Sequence, residues 1–416
     1  MNRDTWQEII ATLSTNKLRA FLTALGVFWG ILMLVVMLGM GSGLEKGVTN
    51  DMSGFATNAV YVWGQRTSMP YDGLQPGRPV EFDSADIELL RGNVPDIEHL
   101  APRLQLGGWR GGDNVSRGAK TGDFSVAGDY PDFQYIQGMN FLNGRYINDL
   151  DIERSRKVCV IGPRAYEMLY ERGEDPIGTH IKIQGVYFTV VGQFEPQGSG
   201  HWSERLAQTI FIPFTTFQYA FNQGNRVGWF AMTGKPGVPA ERLENSILTT
   251  LAKRHRIHPD DENAMGSFNS GRKFREISSI FVAINLLVWF VGICTLLAGV
   301  VGVSNIMLII VKERTKEIGI RKAVGATPWS ITSQILQEST ALTAIAGYLG
   351  LAIGVFLLHV FSLLIGDGND TIRDPQVNFR IAMIATAVLV VSGAIAGLIP
   401  AYNAVRTNTV EALRAE

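Results

Sequence analysis

Four stretches of this chain run without Asp, Glu, Lys or Arg for longer than 18 positions: residues 20–44, 277–311, 339–366 and 381–405. A helix of about 20 apolar residues crosses the roughly 30 Å hydrocarbon layer of a membrane, and there the backbone must satisfy its own hydrogen bonds. Each run therefore reads as a transmembrane helix. The alternative for the first is a cleaved leader, but it exceeds the roughly 7–15 residues of a signal core and "GMGSGLEKG" has no A-x-A-like site. It reads as a retained anchor.

The rest of the chain is too large to be loops alone. With 46% hydrophobic and 18% charged residues, the sequence is too apolar for an ordinary soluble protein and too polar for one held wholly in lipid. A net charge of -1 lacks the basic excess of a nucleic-acid binder, so no nucleic acid is expected as partner. Two cysteines, Cys159 and Cys294, make no disulfide framework, and the redox compartment stays open.

Basic residues near span ends stay on the cytoplasmic side. Lys17 and Arg19 precede the first span; Lys312, Arg314, Lys316, Arg321 and Lys322 follow the second; Arg406 and Arg414 follow the fourth. Both termini are thus predicted inside a multi-pass inner (cytoplasmic) membrane protein. Residues 1–19 form an amino-terminal helix, 312–338 a cytoplasmic segment, 367–380 a short external loop and 406–416 a tail.

Residues 45–276 become one extracytoplasmic insert between spans one and two. Strand patterns appear in "NAVYVWG", "KVCVIG", "HIKIQGVYFTVVGQF" and "QTIFIPF", with a hairpin turn at Gly185. Helical patterns appear in "DSADIELLRGNV", "PRAYEMLYERG" and "AERLENSILTTLAKRH". The fold class is an α+β membrane protein: four transmembrane helices with a large extracytoplasmic α+β domain between helices 1 and 2. The Gly-rich "QLGGWRGGDN" and "EPQGSGHWSE" read as mobile loops, with a subdomain boundary near either.

Residues 277–311 would make a helix of about 50 Å, well beyond the roughly 30 Å of the hydrocarbon core. The surplus, 277–291, is expected to project as a stalk paired with the outward end of span one near Met37, Met40 and Leu44. Glycines recur at the four-residue spacing that lets helices touch in lipid: Gly26 and Gly30, Gly350 and Gly354, Gly393 and Gly397, with Gly39 and Gly43 besides. They serve packing within one bundle or a dimer contact.

The segment behind span two is dense in charge: Lys312, Glu313, Arg314, Lys316, Glu317, Arg321 and Lys322. It reads as a short helix with a Glu317–Arg321 pair four apart, a cap at Gly325, and a restart with Thr327 as N-cap and Pro328 at the first helical position. From charge alone it is a topology anchor.

"ERTKEIGIRKAVGAT" resembles the cytoplasmic signature of the MacB/FtsX-type ABC transporter permeases. "LSTNKLRAFLTALGVFWG" resembles that family's first helix, "DPIGTHIKIQGVYFTVVGQF" and "QTIFIPFTTF" its periplasmic domain, and "PAYNAVRTNTVEALRAE" its tail, though without the usual basic residues after Pro-Ala. The insert size suits the MacB-like branch without a fused ATPase. The resemblance implies that Glu313, Arg314, Glu317, Gly319, Arg321, Gly325 and Ala326 couple the permease to an ATPase, with Glu317 and Arg321 making polar contacts and Gly319 permitting close approach. It implies a cytoplasmic ABC ATPase subunit carrying ATP and magnesium, a homo- or heterodimer of permeases in membrane lipid, and a periplasmic adaptor and outer-membrane channel. The chain itself is then no enzyme but a mechanical transmitter for efflux or envelope transport; an FtsX-like relay activating a periplasmic partner is the alternative.

Catalytic readings are weaker. "GWFAMTGK" has one residue too many between its glycines for a P-loop, and Pro236 stands where Ser or Thr would hold magnesium, so a separate ATPase chain is expected. "RHRIHPDDE" sets His255 and His258 beside Asp260, Asp261 and Glu262, and reads as a solvated helix end rather than a metal site. His359 in span three is expected to make an interhelical hydrogen bond.

Overall fold

The computed structural model describes residues 17–51, 56–107, 114–198, 200–365 and 379–406. Its helices are α1 (Lys17–Asp51), α2 (Ser84–Asn93), α3 (Phe133–Ile136), α4 (Asp149–Glu153), α5 (Pro163–Leu169), α6 (His201–Ala207), α7 (Phe214–Ala220), α8 (Ala240–Arg254), α9 (Ser270–Glu313), α10 (Thr315–Ala323), α11 (Pro328–Ile365) and α12 (Phe379–Arg406). Two compact units result: Met1–Gly47 with Ser279–Glu416, and Val48–Ser278.

In the first unit, α1, α9, α11 and α12 contain the stretches long and apolar enough to cross a membrane: Ala24–Asn50, Ser270–Glu313, Pro328–Leu364 and Ile384–Arg406. Val27, Ile31 and Val35 of α1 are buried with Leu296, Val300 and Val303 of α9. The two run antiparallel, with Gly26 facing Gly299, Gly30 facing Leu296, Leu34 facing Gly292 and Gly41 facing Asn285. Lipid offers no hydrophobic drive between helices, so closeness of packing decides affinity. A Cβ on Gly350 would lie 2.6 Å from the Phe28 carbonyl, and one on Gly354 3.0 Å from a Val35 methyl, so α11 sits directly on α1. Gly393 and Gly397 of α12 face Thr343 and Ser339 of α11, and the Ser339 hydroxyl donates to the Gly393 carbonyl at 3.1 Å.

The second unit is built on strands β1 (Ala59–Gly64), β2 (Phe82–Asp83), β3 (Ile97–Leu106), β4 (Val115–Arg117), β5 (Lys120–Gly122), β6 (Ser125–Asp129), β7 (Met139–Gly144), β8 (Val158–Ile161), β9 (His180–Ile183), β10 (Val186–Pro196), β11 (Thr209–Pro213), β12 (Arg226–Val227), β13 (Trp229–Gly234) and β14 (Met265–Asn269). Twelve form one mixed sheet in the order β14-β1-β13-β3-β6-β11-β8-β10-β9-β4-β5, with β7 on the free part of β10; β2 and β12 pair separately. Successive strand residues point to opposite faces. Val60, Cys159, Ile161, Ile210 and Ile212 enter one apolar cluster, while Ala59, Val160 and Phe211 enter another. Burial on both faces explains why "VCVI" and "TIFIP" read as continuous apolar runs rather than alternating ones. Ile87 and Leu90 of α2 and Leu243, Ile247 and Leu251 of α8 cover the first face; Phe133 and Ile136 of α3 cover the second.

The hairpin at Gly185 forms as its sequence predicts: Gln184 and Gly185 take φ 42° and 91°, the left-handed pair of a tight two-residue turn between β9 and β10. The expected loop "EPQGSGHWSE" is instead largely ordered structure, since β10 runs to Pro196 and α6 begins at His201. No subdomain boundary falls there, because β10 and β11 both pair with β8 in one sheet. Most of "QLGGWRGGDN" lies outside the described residues, as do residues 1–16, most of the 367–380 loop and the tail after Arg406.

Candidate coupling site

Helix α9 ends where its last carbonyls find a competing donor. The Thr315 hydroxyl donates to the carbonyls of Val311 (3.1 Å) and Lys312 (2.7 Å), a back-bonding pattern that bends helices. Arg314 takes φ -95° and ψ 15°, and the chain turns before α10. The single helix read from "KERTKEIGIRKAV" is therefore broken in two. Helix α10 closes with a Schellman motif: Gly325 at φ 101°, its amide on the Lys322 carbonyl (3.1 Å), and the Ala326 amide on the Arg321 carbonyl (2.9 Å). Thr327 then caps α11, its hydroxyl accepting from the Ser330 amide at 3.3 Å, with Pro328 at the first helical position.

Between these stops, Arg314 is the hub. Its Nε donates to Glu317 at 3.0 Å and its Nη1 to Glu338 of α11 at 3.0 Å. Burial works against its charge, but the two carboxylates outweigh burial and raise its pKa above the ordinary arginine value. Arg321 donates to Gln334 at 2.5 Å, and Gln334 donates to Glu338 at 3.4 Å. The partner of Glu317 is thus Arg314, three residues before it, and not Arg321: the helix restart at Thr315 sets Arg314 over the first turn of α10, where Glu317 sits. Lys322 donates to the Val405 carbonyl in the last turn of α12, fixing α10 to a second helix.

Arg314, Glu317 and Arg321 are thus joined in one network. Gly319 is buried on the inner side of α10, Gly325 forms the turn, Ala326 is half-buried against the apolar cluster, and Glu313 is exposed at the end of α9. The sequence reading missed Gln334 and Glu338. Glu338 is only 7% exposed; a carboxylate so close to an apolar run demands a cation, which was the available signal.

The other candidates disperse. His255 lies 3.1 Å from Asp86, which also holds Arg254, and among the described residues no group of three or more His, Cys, Asp or Glu is arranged for a metal. "GWFAMTGK" contains strand β13 rather than a phosphate loop. His359 is exposed on α11, and the expected interhelical hydrogen bond is not found among the described residues. Its neighbour Leu358 instead takes the buried position of that turn, against Gly39 of α1.

The family model described as MacB-like periplasmic core domain matches residues 20–250, and the one described as FtsX-like permease C-terminal matches residues 289–409. The chain is 29% identical over 404 residues to a pyoverdine export ATP-binding/permease protein PvdT of Pseudomonas entomophila, covering 96% of this chain and 58% of that one. It is 27% identical over 422 residues to a macrolide export ATP-binding/permease protein MacB 2 of Aeromonas hydrophila, covering 100% of this chain and 61% of that one. The chain spans about three fifths of the length of these relatives. A crystal structure of the periplasmic region of MacB from Actinobacillus actinomycetemcomitans overlaps 55% of this chain and 96% of its own at 16% identity and a TM-score of 0.43. With the two family models falling in order on the insert and on the helices that follow it, the chain belongs to the MacB/FtsX-like ABC transporter permeases.

Proposed function

We propose that this chain is a permease that passes ATP-driven movement from a cytoplasmic ATPase, through α10, to its extracytoplasmic domain, in an export or envelope-transport system. The observation that carries this reading is the Arg314 network: a short exposed helix tied by charge-assisted bonds to α9 and α11, and by Lys322 to α12. Charge-assisted bonds are about twice as strong as neutral ones, so a push on α10 is shared among three long helices rather than lost in a loop. Relatives named for export of pyoverdine and of macrolides support export as the direction, without assigning a cargo.

In this reading both termini are cytoplasmic, ATP and magnesium are held by the ATPase, two permeases act together, and an adaptor and outer-membrane channel continue the path. The chain's own residues supply no bond-breaking step. The deciding experiment joins the permease to its ATPase in lipid and follows a spectroscopic pair placed on the extracytoplasmic domain. ATP should change the pair distance in the wild type, and Glu317→Lys and Arg321→Glu should each abolish that change while the domain stays folded. A signal unchanged in both variants would return α10 to a topology anchor.

A further inference from the structure

A concave feature lies in the helical unit, away from the Arg314 network. Between the first turns of α11 and the last turns of α12 is a cleft of about 650 Å³, within the roughly 300–1,000 Å³ of small-molecule sites. Trp329 and Thr332 form one wall; Leu398, Ile399, Tyr402 and Val405 form the other. Trp329, Ile399 and Leu398 keep 73%, 59% and 54% of their surface exposed, an apolar lining of the kind that accepts an acyl chain.

The chemistry of the cleft is graded along α12. Leu398 and Ile399 are purely apolar, Tyr402 follows one turn on, and Arg406 closes the series with its guanidinium 4.6 Å from the centre of the Tyr402 ring. Lys322, bonded to the Val405 carbonyl, brings a second positive charge to the same end. Aromatic rings favour the membrane–water boundary, and basic side chains there attract anionic headgroups. Apolar wall, aromatic collar and paired cations repeat the order of acyl chain, ester region and phosphate in a phospholipid.

We propose that this cleft binds an anionic phospholipid, one acyl chain lying between Trp329 and Leu398–Tyr402 and the phosphate held by Arg406 and Lys322. A zwitterionic lipid fills the apolar part equally well; the two cations select a headgroup with net negative charge. The proposal stands independently of ATP-driven coupling.

The test is a competition. Full-length protein in mild detergent is equilibrated with equimolar phosphatidylglycerol and phosphatidylethanolamine of the same acyl chains, and retained lipid is read by native mass spectrometry. The wild type should prefer phosphatidylglycerol, and Arg406→Gln should lower that preference about five-fold, the ratio equivalent to the roughly 1 kcal/mol that a basic side chain contributes near a membrane surface. Ile399→Trp, at an exposed position, should fill the cleft and lose the retained lipid of either kind. Equal retention of the two lipids by the wild type overturns the proposal, as does retention unchanged in both variants. Loss of ATPase association in Ile399→Trp with lipid retention intact also overturns it, by identifying the cleft as a protein-docking surface.

Discussion

The Arg314 guanidinium stands 3.0 Å from the Glu338 carboxylate, joining the break between α9 and α10 to the early turns of α11. Glu338 is nearly buried and Arg314 is mostly so, which makes the pair asymmetric in its response to mutation. Removing one partner of a buried pair leaves an uncompensated charge, at a cost of about 3–5 kcal/mol, whereas replacing both by apolar groups can be nearly neutral. Arg314→Met should therefore lower the unfolding temperature in detergent sharply, and Arg314→Met with Glu338→Leu should recover most of the loss. A double variant no more stable than the single one would show that the pair is not what Glu338 requires.

Glu317 is 60% exposed on its side of the same network, so its ion pair with Arg314 is worth little for stability, at most about 1 kcal/mol. Glu317→Lys places a cation beside Arg314 and should leave the melting temperature within a few degrees of the wild type. Co-purification with the ATPase should fall by an order of magnitude or more if this carboxylate meets a cation on that subunit. Undiminished co-purification would remove Glu317 from the contact.

The register of α1 against α9 makes a covalent prediction. Gly41 lies beside Asn285, a built Cβ standing 3.9 Å from the Asn285 amide oxygen, so cysteines at these two positions should be bridged within one chain by a short bifunctional thiol cross-linker. Cross-linking mainly between chains, read on a denaturing gel, would show that the pairing belongs to a dimer. At Gly350 the neighbour is the Phe28 carbonyl, which cannot give way as a side chain would, and Gly350→Leu should prevent α11 from seating on α1. Proteolytic sensitivity of the helical unit would report that loss.

Short-range features of this chain are legible because their causes are local. The spans follow from uncharged length, the Gly185 turn from positive φ, and the α11 start from Thr327 followed by Pro328. The break at Arg314 was hidden, since the Lys, Glu, Arg and Ala of "KERTKEIGIRKAV" are good helix formers and the competing Thr315 hydroxyl acts through carbonyls earlier in the chain. Sheet order was hidden for a different reason. β3 pairs with β13, and β8 lies parallel to β10 but antiparallel to β11, choices set by burial of both faces rather than by any turn between the strands. Glu338 illustrates the third kind of loss: its partner is remote in sequence, and only the fold brings Arg314 to it.

The buried Asp129 of β6 gives the extracytoplasmic domain a dependence on pH. Its carboxylate is fully enclosed, 2.6 Å from the Arg103 Nε, with the Arg103 guanidinium lying over the Phe133 ring at 3.8 Å. Burial raises the Asp129 pKa to about 7, although Arg103 and the Tyr130 amide pull it down. A carboxyl whose pKa is higher folded than unfolded binds more protons in the folded state between the two values. Stability supplied by the protonated form is therefore fully present below about pH 4 and is lost as pH rises towards about 7, with a slope of up to about 1.4 kcal/mol per pH unit. Above that the contribution is flat. Asp129→Asn keeps the shape without the titration, so the denaturant midpoint of the domain, followed by pulse proteolysis of the full chain, should lose this slope between about pH 4 and 7. A slope as steep in Asp129→Asn as in the wild type would place the titration on another group and leave the Arg103–Asp129 pair ionised throughout.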